Sequence, residues 1–148
     1  MVTMILLGGL GLVAAFAIYV RLAPSDPARW NISLPMDAPD DCMVRPARGS
    51  ASVSCLIAED PTVLLRQLEG IVLATPRTTR LAGSPEEGRI TWITRSRLWG
   101  FPDYTTVQVS QTCTGTRIDI FARLRFGGDD MGVNAGRLSV WFARLTAE

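Results

Sequence analysis

Arg117-Ile118-Asp119-Ile120-Phe121-Ala122-Arg123-Leu124-Arg125-Phe126 alternates residue by residue, with only Phe121 out of turn. Successive side chains of a strand point to opposite faces of its sheet. Ile118, Ile120, Ala122, Leu124 and Phe126 therefore share one side, and Arg117, Asp119, Phe121, Arg123 and Arg125 the other. A strand divided in this way belongs to an antiparallel sheet with one covered face and one wetter face.

Downstream, the alternation breaks at Gly127-Gly128 and turns through Asp129-Asp130-Met131-Gly132-Val133. Asn134 is expected to cap a closing helix whose apolar face carries Leu138, Trp141, Phe142 and Leu145, at i, i+3, i+4 and i+7. Upstream, Tyr104 to Thr112 alternates with Val107 and Val109 on one face, and the Thr114-Gly115 turn follows it. Arg89 to Arg95 sets Ile90 and Trp92 against Thr91 and Ile93, and Thr78 to Ala82 precedes it across a Gly83 to Gly88 turn. Asp60-Pro61 reads as a helix start, with an acceptor at the cap and a proline in the first turn. Leu64, Leu65, Leu68, Ile71 and Val72 give that helix one apolar face, and Pro76 ends it. Gly70 inside it costs ~1 kcal/mol relative to alanine. The expectation over residues 55–148 is an α+β domain: helix, about four antiparallel strands, helix, with both helices on the apolar face of the sheet in two layers.

Residues 1–54 read differently. Met1 to Val20 carries no charge, and about 20 helical residues at ~1.5 Å each cross the ~30 Å hydrocarbon layer, so residues 1–21 are expected to be a transmembrane helix. Tyr19, Arg21 and Trp30 sit where an aromatic belt and a snorkelling arginine belong. Ala15-Phe16-Ala17 resembles a signal-peptide cleavage site, but the basic leader that should precede it is missing. Residues 22–54 read as a spacer. Pro24, Pro27, Pro35 and Pro39 with Asp26, Asp37, Asp40 and Asp41 make an extended, solvated stalk as far as residue 42. The Gly-, Ser- and Ala-rich run from Arg45 to Val53 offers at most a short strand.

Composition removes whole classes of chemistry. The 15 positive charges are all arginine, and 14 acids bring the net charge to +1. Without histidine there is no Ser-His-Asp or Cys-His nucleophile and no imidazole metal site. Without lysine there is no Schiff base and no P-loop. A balanced charge argues against nucleic acid. No cofactor or metal is implied. Cys42 and Cys55 are spaced for a disulfide that would suit a periplasmic domain, with Cys113 free; the alternative is three small buried thiols. Taken literally, the positive-inside rule applied to Arg21 and Arg29 would instead put the domain in the cytoplasm.

If neighbouring strands pair as meanders, Arg95, Arg97 and Asp103 converge on Arg123, Arg125, Asp130, Asn134 and Arg137. Arg123 and Arg125 share a face, and the start of the last helix offers free N–H groups, so the cluster could take a phosphate, carboxylate or lipid head group. The competing reading pairs Asp103, Asp129 or Asp130 with the arginines, locking the helix to the sheet. A third reading takes Asp103 and Asp130 as a hydrolytic carboxylate pair, which adjacent arginines would disfavour by lowering both pKa values.

Three blocks, Arg95-Ser-Arg-Leu-Trp-Gly-Phe-Pro-Asp103, Ala122-Arg-Leu-Arg-Phe-Gly127 and Asp130-Met-Gly-Val-Asn134 with Arg137, resemble the signature of domain of unknown function 1499, over roughly residues 56–146. The anchor followed by Arg21-Leu-Ala-Pro-Ser-Asp-Pro-Ala-Arg-Trp30 is similar to alphaproteobacterial members in particular. Tyr104 and Ala122 depart from that family's pattern, and its Cys-Val-Ser-Ser-like block is not recognisable around Cys42 or Cys55. The resemblance implies no reaction. It supports treating the cluster as one constellation. The expectation for the whole chain is a membrane-anchored, non-enzymatic accessory protein of the bacterial inner membrane, with the bilayer and a membrane protein complex as partners.

Overall fold

The computed structural model describes residues 2–147. Met1 and Glu148, the outer limits of the expected anchor and domain, lie outside the described residues. In chain order the elements are α1 (Val2–Leu22), α2 (Pro27–Trp30), β1 (Arg45–Ala47), β2 (Ser50–Ile57), α3 (Pro61–Leu73), β3 (Thr78–Ser84), β4 (Arg89–Arg95), β5 (Pro102–Thr112), β6 (Gly115–Leu124) and α4 (Val133–Leu145). All strands join one antiparallel sheet in the order β1-β2-β6-β5-β4-β3.

The sheet has six strands rather than the four expected, because residues 45–57 contribute β1 and β2. Their alternation is written in small residues. Ala51, Val53 and Cys55 enter the core while Ser52 and Ser54 face the other way, and β2 pairs with β6 from Ser50↔Arg123 to Ile57↔Thr116.

On one face the packing follows the expected periods. Ile90, Trp92, Val107, Ile118, Ile120 and Ala122 meet Leu64, Leu65, Leu68 and Val72 of α3 and Leu138, Trp141, Phe142 and Leu145 of α4 in a single apolar core. Asp60 caps α3 by accepting from the Thr62 and Val63 amides at 2.9 and 3.1 Å. The cap expected at Asn134 is corrected. α4 begins two residues earlier, behind Gly132 at φ +79°, and Asn134 is buried inside its first turn.

The other face is not wet. Residues 23–41, expected to be a solvated stalk, are extended apart from the single helical turn of α2 and lie along the sheet as a strap. Trp30 stacks on Tyr104, and the strap then follows the outward residues of β5: Thr106 Oγ1 donates to Trp30 O at 3.1 Å, the Leu34 amide donates to Gln108 Oε1 at 3.1 Å, and Ser110 meets Met36. Trp30 is therefore buried with Ile93 and Tyr104 rather than placed at a membrane interface. The Cys42–Cys55 disulfide ties the far end of the strap to β2. Cys113 is free and exposed, so the reading of three buried thiols does not hold.

The near end is fastened by α1. Its last turns bury Val20, and Phe16, Phe101, Phe126 and Tyr19 form a chain of aromatic contacts with centroids 6.0–6.2 Å apart. Among the described residues no helix is long and apolar enough to cross a membrane, so the span expected over residues 1–21 is not shown.

Candidate functional site

The meander brings the expected residues to one end of the sheet, as β4 pairs with β5 and β5 with β6. Strand alternation and the loop after β4 then divide them into three groups.

The first group joins α4 to the sheet. Arg137 Nη2 donates to Asp103 Oδ2 at 3.1 Å, and its Nη1 donates to Asn134 Oδ1 at 2.9 Å. Asp130, just before the helix, accepts from the Asn134 and Gly132 amides at 2.8 and 3.2 Å. The helix start is thus filled by the chain's own carboxylate rather than open to an anion. Burial raises the Asp103 pKa above its ordinary value, with Arg137 pulling in the opposite direction. Desolvation outweighs the cation, which corrects the expectation of a lowered value. Asp103 and Asp130 are both engaged in seating α4, the one by a guanidinium and the other by backbone amides. Asn134 Nδ2 is buried without a hydrogen-bond partner among the described residues.

The second group holds the strap. Arg123 Nη2 donates to Trp30 O at 2.8 Å, and Arg125 Nη1 donates to Pro24 O at 2.9 Å and to the Tyr104 hydroxyl at 3.0 Å. The Arg123 guanidinium lies 5.2 Å from the centroids of both Trp30 and Phe121, and burial lowers its pKa. These two arginines bind carbonyls of their own chain, and Arg125 also binds the Tyr104 hydroxyl. One member of this face went unread in the sequence. Asp119 is buried, chelated by Arg117 Nε and Nη2 at 2.9 Å each, and accepts from Ser54 Oγ at 2.6 Å, while Arg117 Nη2 also reaches Ala38 O at 2.7 Å. The Arg-x-Asp spacing in a strand, which puts both side chains on one face, was the available signal.

The third group is Arg95 and Arg97, which stand apart from both others. They border a hollow at the end of α1 together with Arg21 and Arg77. Arg21, in the last turn of α1, was expected at a membrane interface rather than in this cluster, and Arg77, in the α3–β3 turn, was not singled out from sequence. Among the described residues no group of three His, Cys, Asp or Glu side chains could hold a metal ion.

The crystal structure of protein MLL2253 from Mesorhizobium loti, a structural genomics target, shares this fold at a TM-score of 0.50 and 16% identity, covering 66% of this chain and 94% of that one. No curated protein matches the chain. The model of one protein family matches residues 23–145, so the matched unit includes the strap, β1 and β2, upstream of the start near residue 56 expected from sequence. The chain belongs to that family, described as Protein of unknown function (DUF1499).

Proposed function

We propose that the protein is a membrane-anchored, non-enzymatic accessory domain of the bacterial inner membrane, an alphaproteobacterial member of its family. The observation that carries this reading is α1. Leu6, Leu7, Leu10, Leu12, Val13 and Ile18 are all exposed on it, so its apolar surface runs around the helix instead of along one stripe. A helix apolar on every side belongs in lipid or in a larger core. In the sequence, residues 1–20 carry no charged side chain, about the number a bilayer-spanning helix needs. The Cys42–Cys55 disulfide supports a periplasmic domain, since disulfides persist in oxidising compartments. The engagement of Asp103 and Asp130 in seating α4 weighs against the hydrolytic reading.

The full chain expressed in bacteria should stay with membranes through alkaline carbonate extraction, and a reporter fused after Ala147 should be active only in the periplasm. Quantitative release by carbonate would remove the anchor from the proposal. A second reading, binding of a small anionic group, is favoured by the arginines at the end of α1.

A further inference from the structure

Arg21, Arg77, Arg95 and Arg97, with Thr79 and Ser96, line an open hollow of about 460 Å³ at the foot of α1. That size falls within the roughly 300–1,000 Å³ of small-molecule sites. None of the four arginines forms an ion pair among the described residues. Their contacts are to neutral carbonyls: Arg21 Nη2 to Leu98 O at 3.0 Å, Arg77 Nε to Arg95 O at 3.1 Å and Arg95 Nη1 to Gly100 O at 2.9 Å. Each guanidinium has five N–H donors, so these bonds leave most donors free and neutralise no charge.

Cations gathered in this way repel one another, and the backbone here is built to keep them together. Arg77 adopts φ +60°, a left-handed conformation that is uncommon outside glycine. Gly100, at φ +74°, lets the loop come against Arg21, whose side chain a Cβ at that position would approach to 3.1 Å. The rim beside the cations is apolar. Leu98 is 74% exposed and Trp99 39% exposed, and Trp99 stacks on Phe101, which in turn meets Phe16 of α1. Arginines interleaved with an exposed tryptophan and leucine at the end of an apolar helix match the chemistry of a bilayer interface.

We infer that this hollow binds the phosphate of an anionic membrane lipid, with Leu98 and Trp99 entering the interface beside it. The inference rests on α1 lying in the bilayer. Planar guanidinium groups suit phosphate oxygens because they donate two parallel hydrogen bonds. The domain would then sit against the membrane surface in a fixed orientation.

The full chain reconstituted in vesicles tests this. Trp30, Trp92 and Trp141 are buried, so quenching by lipids brominated on their acyl chains reports chiefly on Trp99. Brominated phosphatidylglycerol, diluted in phosphatidylcholine, should quench well beyond its mole fraction, and brominated phosphatidylcholine should not. An Arg77→Gln/Arg97→Gln variant should lower that preference roughly thirtyfold, at about 1 kcal/mol per arginine near an anionic surface. Arg97→Gln alone makes a second variant, because Arg97 has no side-chain hydrogen bond among the described residues and its loss should leave the melting curve unchanged. Equal quenching by both lipids, in protein that resists carbonate extraction, overturns the headgroup site and leaves the anchor intact. Carbonate extraction from neutral vesicles overturns the anchor, and the site with it. Loss of the preference to inorganic phosphate at constant ionic strength overturns the lipid assignment in favour of a free anion.

Discussion

The Trp30 indole lies flat on the Tyr104 ring, centroids 3.7 Å apart and planes 6° from parallel, and this stack joins the strap to the centre of the sheet. Trp30→Ala should cost about 3–5 kcal/mol, the range for deleting a buried tryptophan. Urea titration followed by circular dichroism measures it. Trp30→Phe, which keeps a stacked ring, should recover much of the loss. A change below about 1 kcal/mol would mean that the strap contributes little to the fold.

Arg123 acts on the same contact from the side, donating to Trp30 O while its guanidinium lies over the Trp30 ring. Arg123→Gln should destabilise the domain, and the Trp30→Ala/Arg123→Gln double variant should fall short of the sum by about 1 kcal/mol or more. Strict additivity would show that the two side chains stabilise the strap independently.

Arg137 is the ion-pair partner of a carboxylate that burial already disfavours. Arg137→Gln should cost about 3–5 kcal/mol, because it strands the Asp103 charge. The pH dependence has a definite sign. With its folded pKa raised from 3.8, Asp103 holds a proton more tightly in the native state than in the unfolded chain. Its effect on stability is therefore most favourable below the unfolded value and is lost as pH rises through the window above 3.8. Denaturation of wild type and Asp103→Asn between about pH 3 and pH 6 should show wild type losing ground to the variant as pH increases. A difference curve that rises with pH would reverse the assignment.

The disulfide closes a short loop, its cysteines 13 apart in sequence. Reduction should lower stability by roughly 2–3 kcal/mol, as expected from loop entropy. Denaturant midpoints with and without reductant, in a Cys113→Ser background, give the comparison.

The core face was legible because its signal is strong and local: Ile118, Ile120 and Ala122 point inward at period two, and Leu64, Leu65 and Leu68 at helical period. β2 obeys the same rule but with Ala51 and Cys55 as inward residues, whose small side chains barely differ from the serines between them. The strap was misread for another reason. Proline and aspartate specify an extended backbone, and an extended backbone is equally compatible with solvent and with a sheet face. What distinguishes the two lies far away in sequence, in Tyr104, Gln108 and Arg123, each of which has an ordinary polar-face appearance on its own. The constellation was similarly half legible. Strand pairing gathered its residues at one end of the sheet, but only the positions of the strap and α4 decide which face uses which charge.

With α1 held in place, the strap also sets a length scale. Pulled from its α1 end, it would peel contact by contact past Trp30 and Leu34 until the load reached Cys42, where the covalent link passes it to β2, a strand paired on both sides. Residues 23–41 would by then span roughly 65 Å, at about 3.4 Å per residue. The sheet could thus travel that far from its tether before the covalent link carries the load. In a reducing environment the stop vanishes, and reach becomes a readout of thiol chemistry.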